Sequence, residues 1–151
     1  MEIKIGKGIN DILFGMKENE LKEKMGIPDE IDVMAQDDGV VTRSLEYHDH
    51  GISFSFDSDD GDKLSSIAIN DKGINFAGVE VGMTRDAVLT AGAQNEWGEA
   101  EMEDLSDDDP FSMEVVMFDK ISLSIWLEND EVTEIEFGPL WADEERIIWP
   151  S

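Results

Sequence analysis

Two histidines stand two residues apart in His48-Asp49-His50, and on a strand both imidazoles would project from one side. That is half of a zinc or nickel site. With no third histidine and no cysteine in 151 residues, carboxylates would have to supply the other ligands. The same residues followed by Gly51 also read as an ordinary hairpin turn, which requires no ion. Asp57-Ser58-Asp59-Asp60-Gly61-Asp62 invites a calcium reading that its spacing refuses. Counted from Asp57, an EF-hand loop needs Gly at its sixth position and Glu at its twelfth, where this chain has Asp62 and Ala68. Asp and Gly between two apolar runs make a turn. No metal and no cofactor is expected.

Carboxylates are plentiful, and their abundance is itself the difficulty. Acid–base catalysis needs two groups whose pKa values are split by burial or by a neighbour. The acids of Glu101-Met102-Glu103-Asp104 and of Asp107-Asp108-Asp109 read as solvated loop residues. The nucleophile elbow GxSxG, the dinucleotide fingerprint GxGxxG and the phosphate loop GxxxxGK[ST] are all absent from the sequence. The chain is therefore expected not to be an enzyme. The rival from another class is a small, metal-dependent hydrolase built from clustered carboxylates with His48 and His50.

Charge narrows the choice of partner. There are 37 acidic and 11 basic side chains, a formal net charge of −26. Residues 1–73 hold 17 acids against 8 bases, and residues 74–151 hold 20 against 3. Such a field repels nucleic acid and anionic membranes and attracts a basic protein. An acid shell that only confers solubility, or suits a salty cytoplasm, fits the charge equally well. The opening MEIKIGKGIN lacks the apolar stretch of a secretory leader, and no run approaches the ~18 apolar residues of a membrane span. A cytoplasmic address is expected.

The elements that must position these residues come in two similar sets. Gly15-Met16 and Gly82-Met83 each precede a short helical stretch, Lys17–Met25 with Leu21 and Met25 on one face, and Thr84–Ala91 with Ala87, Val88 and Ala91. Thr84 is a candidate N-cap; Gly26 with Pro28, and Gly92, are the stop signals. Polar acidic loops follow over Asp29–Val41 and Asn95–Pro110. Then come alternating runs, Ile52, Phe54 and Phe56 among serines, and Ile121, Leu123, Ile125 and Leu127 around Ser122, Ser124 and Trp126. Period two marks strands with one buried face. Arg43–His48 and Met113–Phe118 precede them; Leu64–Ile69 and Val132–Phe137 follow. The expected fold class is α+β, with two tandem repeats, 1–73 and 74–151, each a helix plus a three-stranded antiparallel sheet. They join into one wider sheet with helices on one face, as one compact unit, and the apolar tail (Leu140-Trp141, Ile147-Ile148-Trp149) folds back or makes a dimer contact. Monomer and weak dimer both stay open.

Phe14-Gly15-Met16 running to Gly26-Ile27-Pro28, with Val81-Gly82-Met83-Thr84 as a second copy, resembles the start of the BamE-type outer-membrane lipoprotein domain. Tyr47, Phe54, Phe56, Lys63-Leu64 and Ile67 are similar to its later strand pattern. A tandem pair of such units resembles the architecture of the β-lactamase inhibitor protein. The resemblance implies an antiparallel sheet backed by helices whose open face or loops bind another protein, and it carries over no catalytic residue. This chain lacks the lipobox cysteine of the first group and the disulfides of the second.

If the apolar alternates face the helices, the other face presents Ser53, Ser55, Ser122, Ser124, Trp126, Glu134 and Glu136, a platform of hydroxyls around one aromatic. Tail residues Trp141 or Trp149 covering Trp126 is the competing reading. Trp97, between Glu96 and Glu99 in the second acidic loop, is either an anchor inside a negative collar or a plug above the helix. The expected partner-binding set is thus Trp97, Glu99, Glu101, Glu103, Asp104, Asp107, Asp108, Asp109, Trp126, Glu134 and Glu136. Together they describe a non-catalytic protein-binding module, in its concrete form an immunity or inhibitor protein neutralising a basic toxin.

Overall fold

Apolar side chains at every second position give each strand one face that must leave water, and this alternation organises the molecule. The computed structural model describes residues 3–104, 113–143 and 146–150, the side chain of Asp60 aside. Three two-residue strands open the chain, β1 (Ile3–Lys4), β2 (Gly8–Ile9) and β3 (Ile12–Leu13), followed by helix α1 (Glu18–Met25). Strands β4 (Glu30–Ala35), β5 (Val41–Tyr47), β6 (Ile52–Asp57) and β7 (Lys63–Ile69) then form a meander. After α2 (Arg85–Gln94) come β8 (Glu101–Asp104), β9 (Met113–Phe118), β10 (Leu123–Glu128) and β11 (Glu131–Phe137). A last hairpin pairs β12 (Leu140–Trp141) with β13 (Ile147–Ile148).

All eight longer strands belong to one antiparallel sheet in the order β4-β5-β6-β7-β11-β10-β9-β8. The two meanders meet at β7 and β11, where Ile69, Ala68 and Ile67 pair with Ile135, Glu136 and Phe137. One face of the sheet carries Leu45, Phe54, Ile67, Phe137, Ile125 and Val116, all at most 1% exposed, and closes against Leu21 of α1 and Val88 of α2. Phe137 lies at its centre, edge-on to Phe14 at 5.6 Å and tilted against Phe76 at 5.0 Å. Each helix is also tied to the sheet by an ion pair. Arg43 on β5 donates to Glu18 through Nε (2.8 Å) and Nη2 (3.3 Å), and Arg85 of α2 donates to Glu114 on β9 (3.2 Å). The Gly-Met segments seat on strand starts. Gly15 donates to the Leu64 carbonyl and Leu64 to that of Met16, while Gly82 and Val132 make the equivalent exchange with Met83. Gly15 sits at φ +93°, and a Cβ there would lie 3.2 Å from the Trp149 ring.

This architecture corrects the expected fold class. The molecule is predominantly β, with one eight-stranded sheet and two short helices, rather than two tandem helix-plus-three-strand repeats. The three-strand count fails because β4 and β8 lie inside the segments expected to be acidic loops. They are the two outer strands, and every residue of both is exposed. An edge strand with water on both faces has no buried alternation to betray it. The resemblance to the BamE-type domain and to the β-lactamase inhibitor architecture, which implied such repeats, is overturned by the single eight-stranded sheet. The Gly-Met turns that carried it serve a local purpose, docking the chain onto β7 and β11. No helix among the described residues is long and apolar enough to cross a membrane.

Candidate functional site

The face of the sheet turned away from the helices is polar. Cross-strand register lines up Ser44, Ser55 and Ser66 in one row, with Asp32 at its edge. The adjacent row runs from Glu30 and Glu46 through Ser53 and Ala68 to Glu136 and Ser124. Small side chains leave the backbone of this face approachable, and the Ser44 and Ser55 hydroxyls bond each other at 3.0 Å.

At the junction of the meanders the face deepens into a cleft of about 740 Å³. Ser66 on β7, Glu136 on β11 and Ser124 on β10 form its floor. Asp57 and Ser65 stand on one side, Asp119 and Ser122 on the other. The chain after β11 turns at Gly138-Pro139 and sends the β12–β13 hairpin over the end, adding Trp141, Asp143 and Ile147. Among the described residues four carboxylates line the cleft and no basic side chain does, although Arg146 pairs with Asp143 at 3.1 Å. Asp57 is held in place by hydroxyls, Thr42 Oγ1 donating to Oδ1 at 2.6 Å and Ser65 Oγ to Oδ2 at 3.1 Å. Burial pushes the Glu136 carboxyl above its ordinary value, and the like charges of Glu134 and Asp57 push it further the same way. Glu134, the next open-face residue of β11, is raised by burial.

The expected site residues scatter across this frame. Glu134, Trp126 and Glu136 do share the open face, Trp126 standing directly across from Glu134 on β11 and Val115 on β9. Trp126 is half-buried, and its Nε1 is buried with no hydrogen-bond partner among the described residues. Trp141 lines the cleft, while Trp149 packs on Gly15 and under the Lys63 ammonium. Ser53, Ser55 and Ser124 lie on the same face, and Ser122 follows a short 3₁₀ turn at the cleft wall. Trp97 is not an anchor. It is 2% exposed and sits edge-on to Phe76 and Phe118, closing the core above α2, where Gly92 leaves room for the Phe118 ring. Glu99, Glu101, Glu103 and Asp104 are exposed on β8 and the approach to it, away from the cleft lining. Asp107, Asp108 and Asp109 lie outside the described residues.

Sequence reasoning placed Glu136 and Ser124 on the open face but missed Ser65, Ser66 and the lid of the cleft. Ser65 and Ser66 were hidden inside a run read only for its apolar alternates, at a bulge where β6 and β7 shift register between Ser55 and Phe56. Asp119, Asp143 and the tail hairpin join the site only through the fold. The Asp57–Asp62 segment is a turn, with a 3₁₀ helix over Ser58–Asp60 and Gly61 in the left-handed conformation at its end (φ +74°). The two histidines also part company. Both belong to the turn after β5, where the His50 N–H donates to the Tyr47 carbonyl, but only the His48 side chain approaches Glu30, at 3.7 Å. Among the described residues, Glu30, Glu46 and His48 are the one group of three such side chains whose ligand atoms all lie within 4.8 Å of one another.

No known family matches the chain, and no curated protein is similar to it in sequence. Among solved structures it is similar to an extracellular protein containing a SCP domain from Bacillus anthracis str. Ames, at 11% identity and a TM-score of 0.47. The match takes in 91% of this chain and 50% of that one, so this chain spans half the length of that protein.

Proposed function

We propose that this chain is a non-catalytic protein-binding module whose open sheet face receives a basic segment of a partner, with the cleft over Glu136 as the recognition point. One observation carries the reading: among the described residues four carboxylates line a cleft of about 740 Å³ that no basic side chain lines, and of the four only Asp143 has an ion-pair partner, Arg146. A guanidinium entering there offsets the desolvation that raises Glu136 and supplies donors that a carboxylate can accept in pairs. Trp141, half-exposed at the rim, offers a ring for the same cation to stack on. An immunity or inhibitor protein that occludes a cationic toxin is the concrete form of this function. The overall charge of −26 would speed encounter with such a partner.

The test is binding of an arginine-rich peptide, followed by the Trp141 fluorescence that the native chain has and Trp141→Phe lacks. Raising ionic strength from about 0.01 M to about 1 M shrinks the screening length from about 30 Å to about 3 Å and should weaken the complex steeply. Removing two cleft charges (Glu136→Gln with Asp57→Asn) should weaken it far more than removing two exposed charges of α1 (Glu20→Gln with Glu23→Gln). Equal losses from the two pairs would sink the cleft as a recognition point and leave only diffuse attraction. A pull-down from native lysate then identifies the partner as the basic protein kept by the native chain and lost by the cleft variant.

A further inference from the structure

At the far edge of the same face, three side chains of metal-ligating type meet, two on the paired strands β4 and β5 and the third in the turn that directly follows β5. Glu46 lies on β5 and projects toward the open face, and His48 follows in the turn, its imidazole brought to the same two glutamates. Glu30 on β4 pairs directly with Glu46 across the ladder. Their ligand atoms lie within 4.8 Å of one another, and the His48 Nε2 to Glu30 Oε2 separation is already 3.7 Å. Two donors on a tetrahedral zinc ion stand about 3.4 Å apart, given legs of about 2.0–2.1 Å. Small rotations of side chains that are at least partly exposed close that gap, with no movement of the sheet. The strand positions are fixed from behind, since the His48 backbone N–H donates to Asp29 Oδ2 and the Asp29 N–H donates to the Glu46 carbonyl. Asp32 adds a further carboxylate beside Glu46. No lysine or arginine pairs with Glu30, Asp32 or Glu46 among the described residues.

We infer that Glu30, Glu46 and His48 form a binding site for one zinc-class divalent cation. One imidazole and two carboxylates suit a borderline ion such as Zn²⁺, and three protein ligands leave a coordination position open toward solvent. That position opens onto the binding face. Glu46 and Glu136 share one row of the sheet, three strand spacings or about 14 Å apart.

The experiment is calorimetric titration of the full chain with Zn²⁺ alone, no partner present, so its outcome is independent of the function proposed above. One ion should bind per chain. His48→Ala should weaken that step at least tenfold, while His50→Ala, which removes the neighbouring imidazole at the turn, should leave it unchanged. In the native chain the ¹⁵N resonance of one His48 ring nitrogen should move on saturation, a signature that loose association with surface carboxylates does not give. Equal losses from the two histidine variants would overturn the site. So would unchanged binding in His48→Ala, or uptake of several ions without a saturable one-to-one step. His48 is an exposed residue just beyond the end of β5, and circular dichroism of the variant separates loss of a ligand from loss of fold.

Discussion

The two faces of the sheet are cut from the same eight strands, yet they are built to opposite rules. On the helix face two carboxylates that pack against the sheet are matched, Glu18 by Arg43 and Lys22, and Glu114 by Arg85. On the open face Glu46, Glu134 and Glu136 have no lysine or arginine partner among the described residues. Titration behaviour divides the same way. The hydrogen bond from Arg43 holds the Glu18 carboxyl below its ordinary range despite some burial, whereas burial raises Glu134 and Glu136, with like charge adding to the effect at Glu136. One face is arranged to hold the fold together. The other bears groups that folding makes less comfortable, and it is the one with the cleft. Destabilised, uncompensated groups concentrated at a concavity are the usual mark of a surface awaiting a ligand.

The contrast can be broken most severely from the helix side. Phe137→Ala removes a ring packed between Phe14 and Phe76 and should cost about 3–5 kcal/mol, read as a lower urea midpoint. The matching change on the other face, Ser55→Ala, loses one half-exposed hydroxyl contact and should cost no more than about 1 kcal/mol.

A sharper test uses one type of substitution with opposite signs. Glu136→Gln should stabilise the protein near neutral pH by on the order of 1 kcal/mol, raising Tm by about 2–4 °C. Glu18→Gln should destabilise it by about 1 kcal/mol or less, since Arg43 is partly solvated. The pH dependences differ accordingly. A carboxyl raised in the folded state binds protons more tightly there than in the unfolded chain, so its penalty is absent well below the ordinary value of 4.5 and complete above its raised value. Tm of the native chain should therefore rise as pH falls from neutral toward the carboxylate range, and Glu136→Gln should flatten that rise. For Glu18, whose value is lowered, the stabilisation is present above 4.5 and is lost as pH falls through the lowered value. The smallest effect is at Trp126. Trp126→Phe deletes a buried N–H with no partner among the described residues and should change the urea midpoint little or raise it by less than about 1 kcal/mol equivalent.

Much of this arrangement is legible in the sequence wherever burial imposes a period. Ile52, Phe54 and Phe56, or Leu123, Ile125 and Leu127, announce both a strand and which side of it is wet, and so place Trp126, Glu134 and Glu136 together on one face. Thr84 caps its helix as its type suggests, accepting from the Ala87 N–H at 3.3 Å. Legibility fails where water touches both sides of a strand. Glu30–Ala35 and Glu101–Asp104 are exposed along their whole length, and missing them made three-strand repeats joined in one wider sheet out of what is a single eight-stranded sheet. Trp97 shows another limit, because an aromatic in an acidic loop reads the same whether it points out or closes a core. The cleft escapes for a third reason. Its floor and lid come from Ser66, Glu136 and the tail hairpin, far apart in the chain and joined only once β7 meets β11.

The exposure of the two outer strands has a further consequence, for behaviour in bulk rather than for binding. β4 carries Glu30 and Asp32, and β8 carries Glu101 and Glu103, on outer strands whose far edges pair with no other strand among the described residues. Two molecules approaching edge to edge bring like charges together, which guards against sheet extension into fibres. Acid removes the guard as the medium nears the isoelectric point of about 4.1, while the raised carboxyls of the open face make the fold itself firmer over the same descent. Mild acidification should thus turn solutions of this protein turbid with molecules that are still folded, and restoring neutral pH should clear them.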